Sequence, residues 1–378
     1  MNKRFFHAVA MMVGMIVGVG IFGVPYAVEK VGFVLGFLYI FIMGLLLLLV
    51  HLLYSEIVLR TEGKHRLVGY AAIYLGEKGK IVAAVAQILS FYGALIAYII
   101  IGGQFLHLLL SPVFGGTVLV YQIGFFIFMS LTVGAGLRLV APIEFVMTMF
   151  LLVVVAIIFI FGLSYVWYPN LYVMNLKEIF FPYGVILFAL GGAAAIPEIR
   201  ELLRGQEKKM KKAIVWGTAI PLIITIIFSF VVIGISGKNT TSEAISGLVG
   251  PLGGNIVMLG AVFGFLAIAT SFLVLGLNLK EIFKLDYKIN GWLSWLLACL
   301  VPFLFFLLAR PEFISVAAFT GAVLGGLEGI LIILIWLKAQ KEGKRTPEYS
   351  LKVSEWVLSL VVFIFILGFI YKIIYPES

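Results

Sequence analysis

The stretch Gly14-Met-Ile-Val-Gly-Val-Gly-Ile-Phe-Gly-Val-Pro25 decides how this chain folds. It lies inside the first long apolar run, at a depth where an uninterrupted membrane helix carries Leu and Val. Four glycines weaken a helix there, and Pro25 has no N–H to give one. Broken backbone at membrane depth persists only where protein covers it or where it lines a water-filled cavity. The stretch is therefore expected to line something. A second stretch answers it: Leu190 to Pro197 reads LGGAAAIP, again small residues and then proline inside an apolar run. Small residues also serve close helix packing. Two such interruptions, five runs apart and each ending in proline, instead form the pattern that marks a secondary transporter's binding site.

Composition narrows the class. The 378 residues are 63% hydrophobic and 12% charged, with mean hydropathy +1.17, so the chain reads as a polytopic helical membrane protein. The apolar runs are continuous rather than alternating, which excludes a β-barrel. The net charge of +9 sits in short loops, so it does not indicate a nucleic-acid partner. Cys299 is the only cysteine, which rules out an intramolecular disulfide and a Cys-rich metal site. His7, His51, His65 and His107 lie far apart, without ligand spacing. Lys3-Arg4 before an apolar run has the look of a signal peptide, but no A-x-A-like site follows, and the run is expected to be retained.

Eleven apolar runs are long enough to cross about 30 Å of hydrocarbon. They cover 5–27, 32–59, 81–110, 118–137, 142–168, 179–199, 213–236, 253–279, 291–309, 313–337 and 353–375. With the N-terminus placed inside, 22 of the 27 Lys and Arg residues fall on the inner side, Arg138 among them. That asymmetry predicts a cytoplasmic N-terminus and an external C-terminus, in what is expected to be a prokaryotic plasma membrane. The inner loop His65 to Gly79 has apolar residues at helical spacing and is expected to lie on the membrane surface as a short amphipathic helix. The inner loop 200–212 carries six basic residues and reads as a topology anchor. The outer loop 236–251, rich in Ser, Thr and Gly, is either a cap over an external vestibule or a plain connector.

The break in the first run exposes backbone N–H groups at the start of the following half-helix, and the helix dipole favours an anion there. Val19, Gly20 and Ile21 are the candidates for holding a carboxylate. Carbonyls freed at the ends of the preceding half-helices, near Ile16 and Val17 and near Phe188 and Ala189, carry the opposite partial charge and suit an ammonium. One cavity with both matches the zwitterionic head of an α-amino acid. The wall from Phe188 through Leu190 and Gly191 to Ala195 is apolar and contains no charge, which predicts a neutral substrate, large and apolar or aromatic. In run 3, Tyr92 and Tyr98 each offer a hydroxyl. Glu328 lies mid-run in run 10, where a charge costs about 2.5–3.5 kcal/mol to insert, so it is expected to face protein or water and is a candidate proton carrier. Glu56, four residues before Arg60, is expected to form an ion pair at the inner rim.

The segments Gly18-Val-Gly-Ile-Phe-Gly-Val-Pro-Tyr-Ala27, Gly32-Phe33 and Gly36 resemble the first two helices of the amino acid/auxin permease family and its aromatic amino acid permease relatives. Tyr74-Leu75-Gly76 and Lys78-Gly79 are similar to that family's first inner loop. Phe188-Ala-Leu-Gly-Gly192 and Pro197-Glu-Ile-Arg-Glu-Leu202 are similar to its sixth helix. The resemblance places the chain in the amino acid–polyamine–organocation superfamily. It implies the all-α leucine-transporter fold in a single domain spanning 1–378: a 5+5 inverted repeat (about 5–168 and 179–337) with discontinuous helices 1 and 6, plus an appended eleventh helix (about 353–375). Within that pattern Tyr98 is better placed than Tyr92 to meet the substrate. Sodium-coupled members hold Na⁺ between the eighth helix and the first break. Carried over residue by residue, that site is Ala267, Thr270, Ser271, Gly14 and Val17, a set of neutral oxygens that suits a hard cation. Proton-coupled relatives often carry a basic residue in the fifth helix. Run 5 has none after Arg138, only Glu144 and Thr148, which favours Na⁺ over H⁺.

The function implied is ion-coupled transport of neutral L-amino acids by alternating access, with no organic cofactor and with the bilayer as environment. The alternatives are a carrier of another small amine or organic solute, and a membrane sensor that binds without turnover. No HExxH, GxS or paired-acid motif supports an enzyme, and no filter-like ring supports a channel.

Overall fold

The computed structural model describes residues 3–136 and 140–375, and every regular element among them is a helix. Arg138, and the side chains of Glu144 and Thr148, lie outside what is described. The first run is two helices, α1 (Lys3–Ile16) and α2 (Gly20–Val31), bent by 53° at Val17–Val19. The second is α3 (Phe33–Arg60). Next, α4 (Leu67–Phe114) turns sharply at Gly76 (φ 72°), which separates a short helix from the third span. Leu67, Tyr70, Ala71 and Tyr74 are buried along that short helix, the i, i+3, i+4, i+7 face the sequence predicts. Then come α5 (Val118–Ala135) and α6 (Val140–Gly162).

The sixth run is broken like the first, into α7 (Pro182–Ala189) and α8 (Ile196–Leu202). After α9 (Met210–Ser236) and the single turn α10 (Val249–Leu252), α11 (Gly254–Glu281) is the eighth span and α12 (Gly291–Ala309) the ninth. The tenth consists of α13 (Phe313–Phe319), a π-helical stretch Thr320–Gly325, and α14 (Gly326–Glu342). The eleventh is α15 (Glu355–Ile374). Among the described residues, nine helical spans, with the sixth and tenth each counted as one, and the bent α1–α2 pair are long and apolar enough to cross a membrane, and the 23-residue α6 accounts for the remaining run.

Two details depart from the sequence expectation. Pro25 does not close the first break but sits inside α2, where it leaves the Ile21 carbonyl without its usual donor. Pro197, by contrast, starts α8, a position where the missing N–H costs nothing. The second departure is the π-helical stretch, which wide hydrophobic periodicity does not reveal. Such insertions are frequent at functional sites.

Small residues bring the broken helices together backbone to backbone. A Cβ on Gly20 would lie 2.5 Å from Ala189 Cα, so α2 and α7 touch at the level of the breaks. Gly184 and Gly321 admit the same closeness between α7 and the tenth span. At the basic face, where Arg60, Lys64 and Arg200 lie, Glu56 is fully buried and forms the expected pair with Arg60 (2.7 Å). It also accepts from Trp336 Nε1 (2.9 Å), Ser350 Oγ (3.0 Å) and the Leu351 N–H (2.9 Å). Arg345 donates to Leu59 O and Tyr349 to Leu52 O, so the 343–354 connector is stapled along α3. This frame holds α3, α14 and α15 around the broken helices.

Candidate functional site

The site grows from the two breaks. Helix α1 ends because the Gly18 N–H turns to Ile16 O (2.9 Å), which leaves the Gly14 carbonyl without its i+4 donor. Helix α2 starts at Gly20 with no side-chain cap. Phe22 N–H donates to Val19 O (3.2 Å), and the N–H groups ahead of it, on Gly20 and Ile21, sit at the positive end of the helix dipole. Helix α7 ends at Ala189, where the Leu190 N–H closes on Ile186 O (3.0 Å) and the Gly191 N–H on Phe188 O (3.4 Å). The Leu187 carbonyl thereby loses its i+4 donor, and the negative end of α7 faces the same region.

Around these ends lies a cavity of about 160 Å³, far larger than one water needs. Of the residues expected from the sequence, Ile16, Val19, Gly20, Tyr98, Phe188, Gly191 and Glu328 line it. A Cβ on Gly18 would lie 3.8 Å from Tyr98 Oη, so the phenol stands across the first break. Val17, Ile21, Ala189 and Leu190 do not line the cavity. Their side chains are buried in the surrounding core, and they offer the site only backbone. Tyr92 is turned elsewhere, donating to Leu297 O (2.9 Å).

The five residues of the expected ion set lie outside the cavity wall. On α11 the Thr270 hydroxyl donates to Ala267 O (2.9 Å), the ordinary back-bond of a membrane threonine, and this sets two of the candidate oxygens side by side. On α1 the Gly14 carbonyl lacks its helical donor.

The structure adds residues that the sequence reading passed over. His51, on α3, lines the cavity and accepts from the Gly192 N–H (3.2 Å), while its other nitrogen meets Thr218 Oγ1 on α9 (3.2 Å). Thr320 from the π-helical stretch and Ser90 from α4 add hydroxyls to the same wall as Gly321 and Glu328. A signal for His51 was present: it is a polar residue mid-run, the same signal that marked Glu328. The expectation of a wall without an acid needs correction. It was drawn from the sixth run alone, and the tenth span brings Glu328 to the same cavity.

Two larger recesses lie elsewhere in the described residues. One, of about 700 Å³, opens at the basic face, where Arg66 pairs with Glu198 (3.2 Å) and Lys64 with Glu201. There Arg200 donates to the carbonyls of Thr61 and Gly63, tying α8 to the α3–α4 connection. The other, of about 590 Å³, lies at the opposite face. Thr241, Ser242 and Glu243 of the 236–251 loop form part of its wall, so that loop is more than a connector.

Comparison with known proteins agrees with this architecture. Residues 1–372 match the tryptophan/tyrosine permease family. The chain is 28% identical to Tyrosine-specific transport system 1 of Haemophilus influenzae, covering 92% of this chain and 91% of that protein. It is 26% identical to Tyrosine-specific transport system 2 of the same organism (96% and 94% covered) and 23% identical to Glutamine transporter 2 of Aliivibrio fischeri (86% and 86%). Among solved structures it superposes on MhsT in complex with L-phenylalanine, with a TM-score of 0.69 over 99% of this chain and 97% of that one, at 16% identity. That likeness shows the leucine-transporter-like fold, with its discontinuous first and sixth helices. The resemblance first seen to amino acid/auxin permeases thus narrows to their aromatic relatives. The family match runs from the first span into the last, over a transporter fold built around two broken helices: the chain belongs to the tryptophan/tyrosine permease family, and is a membrane permease rather than an enzyme.

Proposed function

We propose that this permease is a secondary active transporter of neutral L-amino acids with large apolar or aromatic side chains, working by alternating access around α1–α2 and α7–α8. One observation carries the reading: the uncapped start of α2, the end of α7 and the Tyr98 phenol converge on one cavity. The α2 N–H groups and Tyr98 take the carboxylate, and the freed carbonyls take the ammonium. Phe188, Phe91 and the small residues of the sixth break leave room for an aromatic ring. The named substrates of the relatives, tyrosine and glutamine, are neutral, which supports the same class. The N-terminus is cytoplasmic and the C-terminus external, in a prokaryotic plasma membrane, as the basic loops require. The 700 Å³ recess is then the inner vestibule and the 590 Å³ recess the outer one.

Coupling is to Na⁺ in preference to H⁺, through Gly14, Val17, Ala267, Thr270 and Ser271. The residue-by-residue resemblance to sodium-coupled transporters and the Gly14 carbonyl, free of its helical donor, support that choice, while the Thr270 hydroxyl stands bonded back to Ala267 O. Glu328, in the cavity wall, is the proton carrier in the H⁺-coupled reading. The test is thermal stability of the purified protein against a panel of amino acids, each in Na⁺ and in K⁺. A ligand at ~100 times its Kd adds about 2.7 kcal/mol to the native state. A Na⁺-dependent shift from tyrosine, tryptophan or phenylalanine is the expected result. A Na⁺-independent shift that varies with pH transfers the coupling to Glu328. A protein that transports when reconstituted but is shifted by no amino acid overturns the substrate assignment.

A further inference from the structure

His51 stands mid-membrane in α3, 1% exposed, with both ring nitrogens engaged. A backbone N–H can only donate, so the contact from Gly192 makes Nε2 an acceptor. The ring proton therefore sits on Nδ1, which donates to Thr218 Oγ1. One neutral imidazole in one tautomer thus joins α3, the sixth-span break and α9.

The break needs such a partner. Gly191 and Gly192 have no side chains with which to hold themselves, and Gly192 packs closely on the end of α1: a Cβ there would lie 2.5 Å from Ile16 Cγ1. The Gly192 carbonyl is taken by the Ala195 N–H (3.2 Å), but its own N–H has left the α7 ladder and lies in a buried, lipid-surrounded core. In a trans peptide the N–H of Gly192 and the C=O of Gly191 point in opposite directions. Holding the first fixes the second, and Gly191 lines the cavity.

We propose that His51 is a positioning residue of the binding site: its Nε2 locks the Gly191–Gly192 peptide plane, orients the carbonyls of the sixth break for the substrate ammonium, and links that orientation to α9 through Thr218. The proposal rests on the amino-acid reading above. His51 acts through Gly192, and a substrate gains from it because the break is already ordered when the substrate arrives.

The test has two readouts on the full-length protein in lipid. Nitrogen-15 NMR of histidine-labelled protein reports the tautomer, and the His51→Gln difference spectrum identifies the signal among the four histidines. The Nδ1–H form is expected for His51 in the wild type and in Thr218→Val alike, because the Gly192 N–H still requires Nε2 to accept. Binding of L-tyrosine and L-phenylalanine is the second readout. His51→Leu, which cannot accept from Gly192, is expected to raise Kd on the order of tenfold, the worth of one hydrogen bond. His51→Gln, whose Oε1 can accept, is expected to stay within about threefold of wild type. Should His51→Leu fail to fold, Thr218→Val carries the test: it releases the ring from α9 and is expected to raise Kd several-fold while the Nδ1–H tautomer persists, and wild-type binding by a folded Thr218→Val overturns the link to α9. An Nε2–H tautomer in the wild type overturns the proposal, and so does a folded His51→Leu that binds as wild type does. A wild type that binds no amino acid sinks the substrate reading instead, and the tautomer then judges the lock by itself.

Discussion

Gly20→Ala isolates what the contact between the broken helices does. The added Cβ would lie 2.5 Å from Ala189 Cα, 2.9 Å from Ala189 Cβ and 3.2 Å from Ala189 N. None of these atoms is the end of a flexible side chain. An ordinary carbon contact is about 3.5–4.0 Å, so α2 and α7 must part by about 1 Å. Overpacking of this kind costs about 1–3 kcal/mol, partly offset by up to ~1 kcal/mol because alanine is the better helix former. The functional loss is larger, since the N–H groups of α2 and the carbonyls of α7 must grip one small head group together. A misplacement of about 1 Å costs on the order of a hundredfold in a positioned reaction, near 2.7 kcal/mol. The assay is counterflow of labelled tyrosine into proteoliposomes, at matched protein content and with thermal stability measured alongside. Gly124→Ala in α5 is the control, since nothing lies within 4 Å of its Cβ. The expected result is a folded Gly20→Ala protein slowed by about 10–100-fold, with Gly124→Ala unchanged. Wild-type transport by Gly20→Ala would refute the idea that α2 and α7 grip the substrate jointly.

Four further outcomes follow from the same geometry. Tyr98→Phe removes one hydrogen bond to a carboxylate, worth about 1.5–3 kcal/mol, so amino-acid binding measured by calorimetry should weaken by roughly 10–150-fold. Glu56→Ala strands Arg60, the Trp336 indole and the Leu351 N–H, and should destabilise the fold by about 3–5 kcal/mol in reversible unfolding from mixed SDS micelles. Thr270→Val should raise the Na⁺ concentration for half-maximal uptake on the order of tenfold or more, with little change in packing; an unchanged Na⁺ dependence removes α11 from the coupling site. Glu328→Gln should leave Na⁺-driven uptake largely intact. A variant that has lost pH-driven accumulation but retains exchange would establish the proton route in its place.

Much of the fold was legible because lipid leaves little choice. A run of about 20 apolar residues must become a helix when no water is present to satisfy its backbone, so the spans fall within a few residues of their expected bounds. The breaks were legible because glycine and proline carry their meaning locally. The start of α2, however, was placed by the turn at Gly18 and not by Pro25. The π-helical stretch at Thr320–Gly325 left no trace in hydrophobic periodicity, since every face of that span is apolar or small. His51 was readable as a mid-run polar residue but not as a partner of Gly192, 141 residues away, or of Thr218, 167 residues away.

The division between the two levels has a physical origin. Hydropathy, glycine and proline content, and basic-loop asymmetry act on the chain a few residues at a time. By themselves they marked out the apolar runs and the two discontinuous helices, while the short motifs at those breaks carried the resemblance to aromatic permeases. Which side chains share the central cavity was decided only when the spans packed. Packing brought Glu328 of the tenth span beside Ser90 of the third, and Glu56 under Trp336, 280 residues later in the chain. Close approach through Gly20 set the distance between α2 and α7, and through Gly184 and Gly321 that between α7 and the tenth span. Local sequence specifies where the backbone must break. Only tertiary contact specifies what each freed N–H and carbonyl then faces.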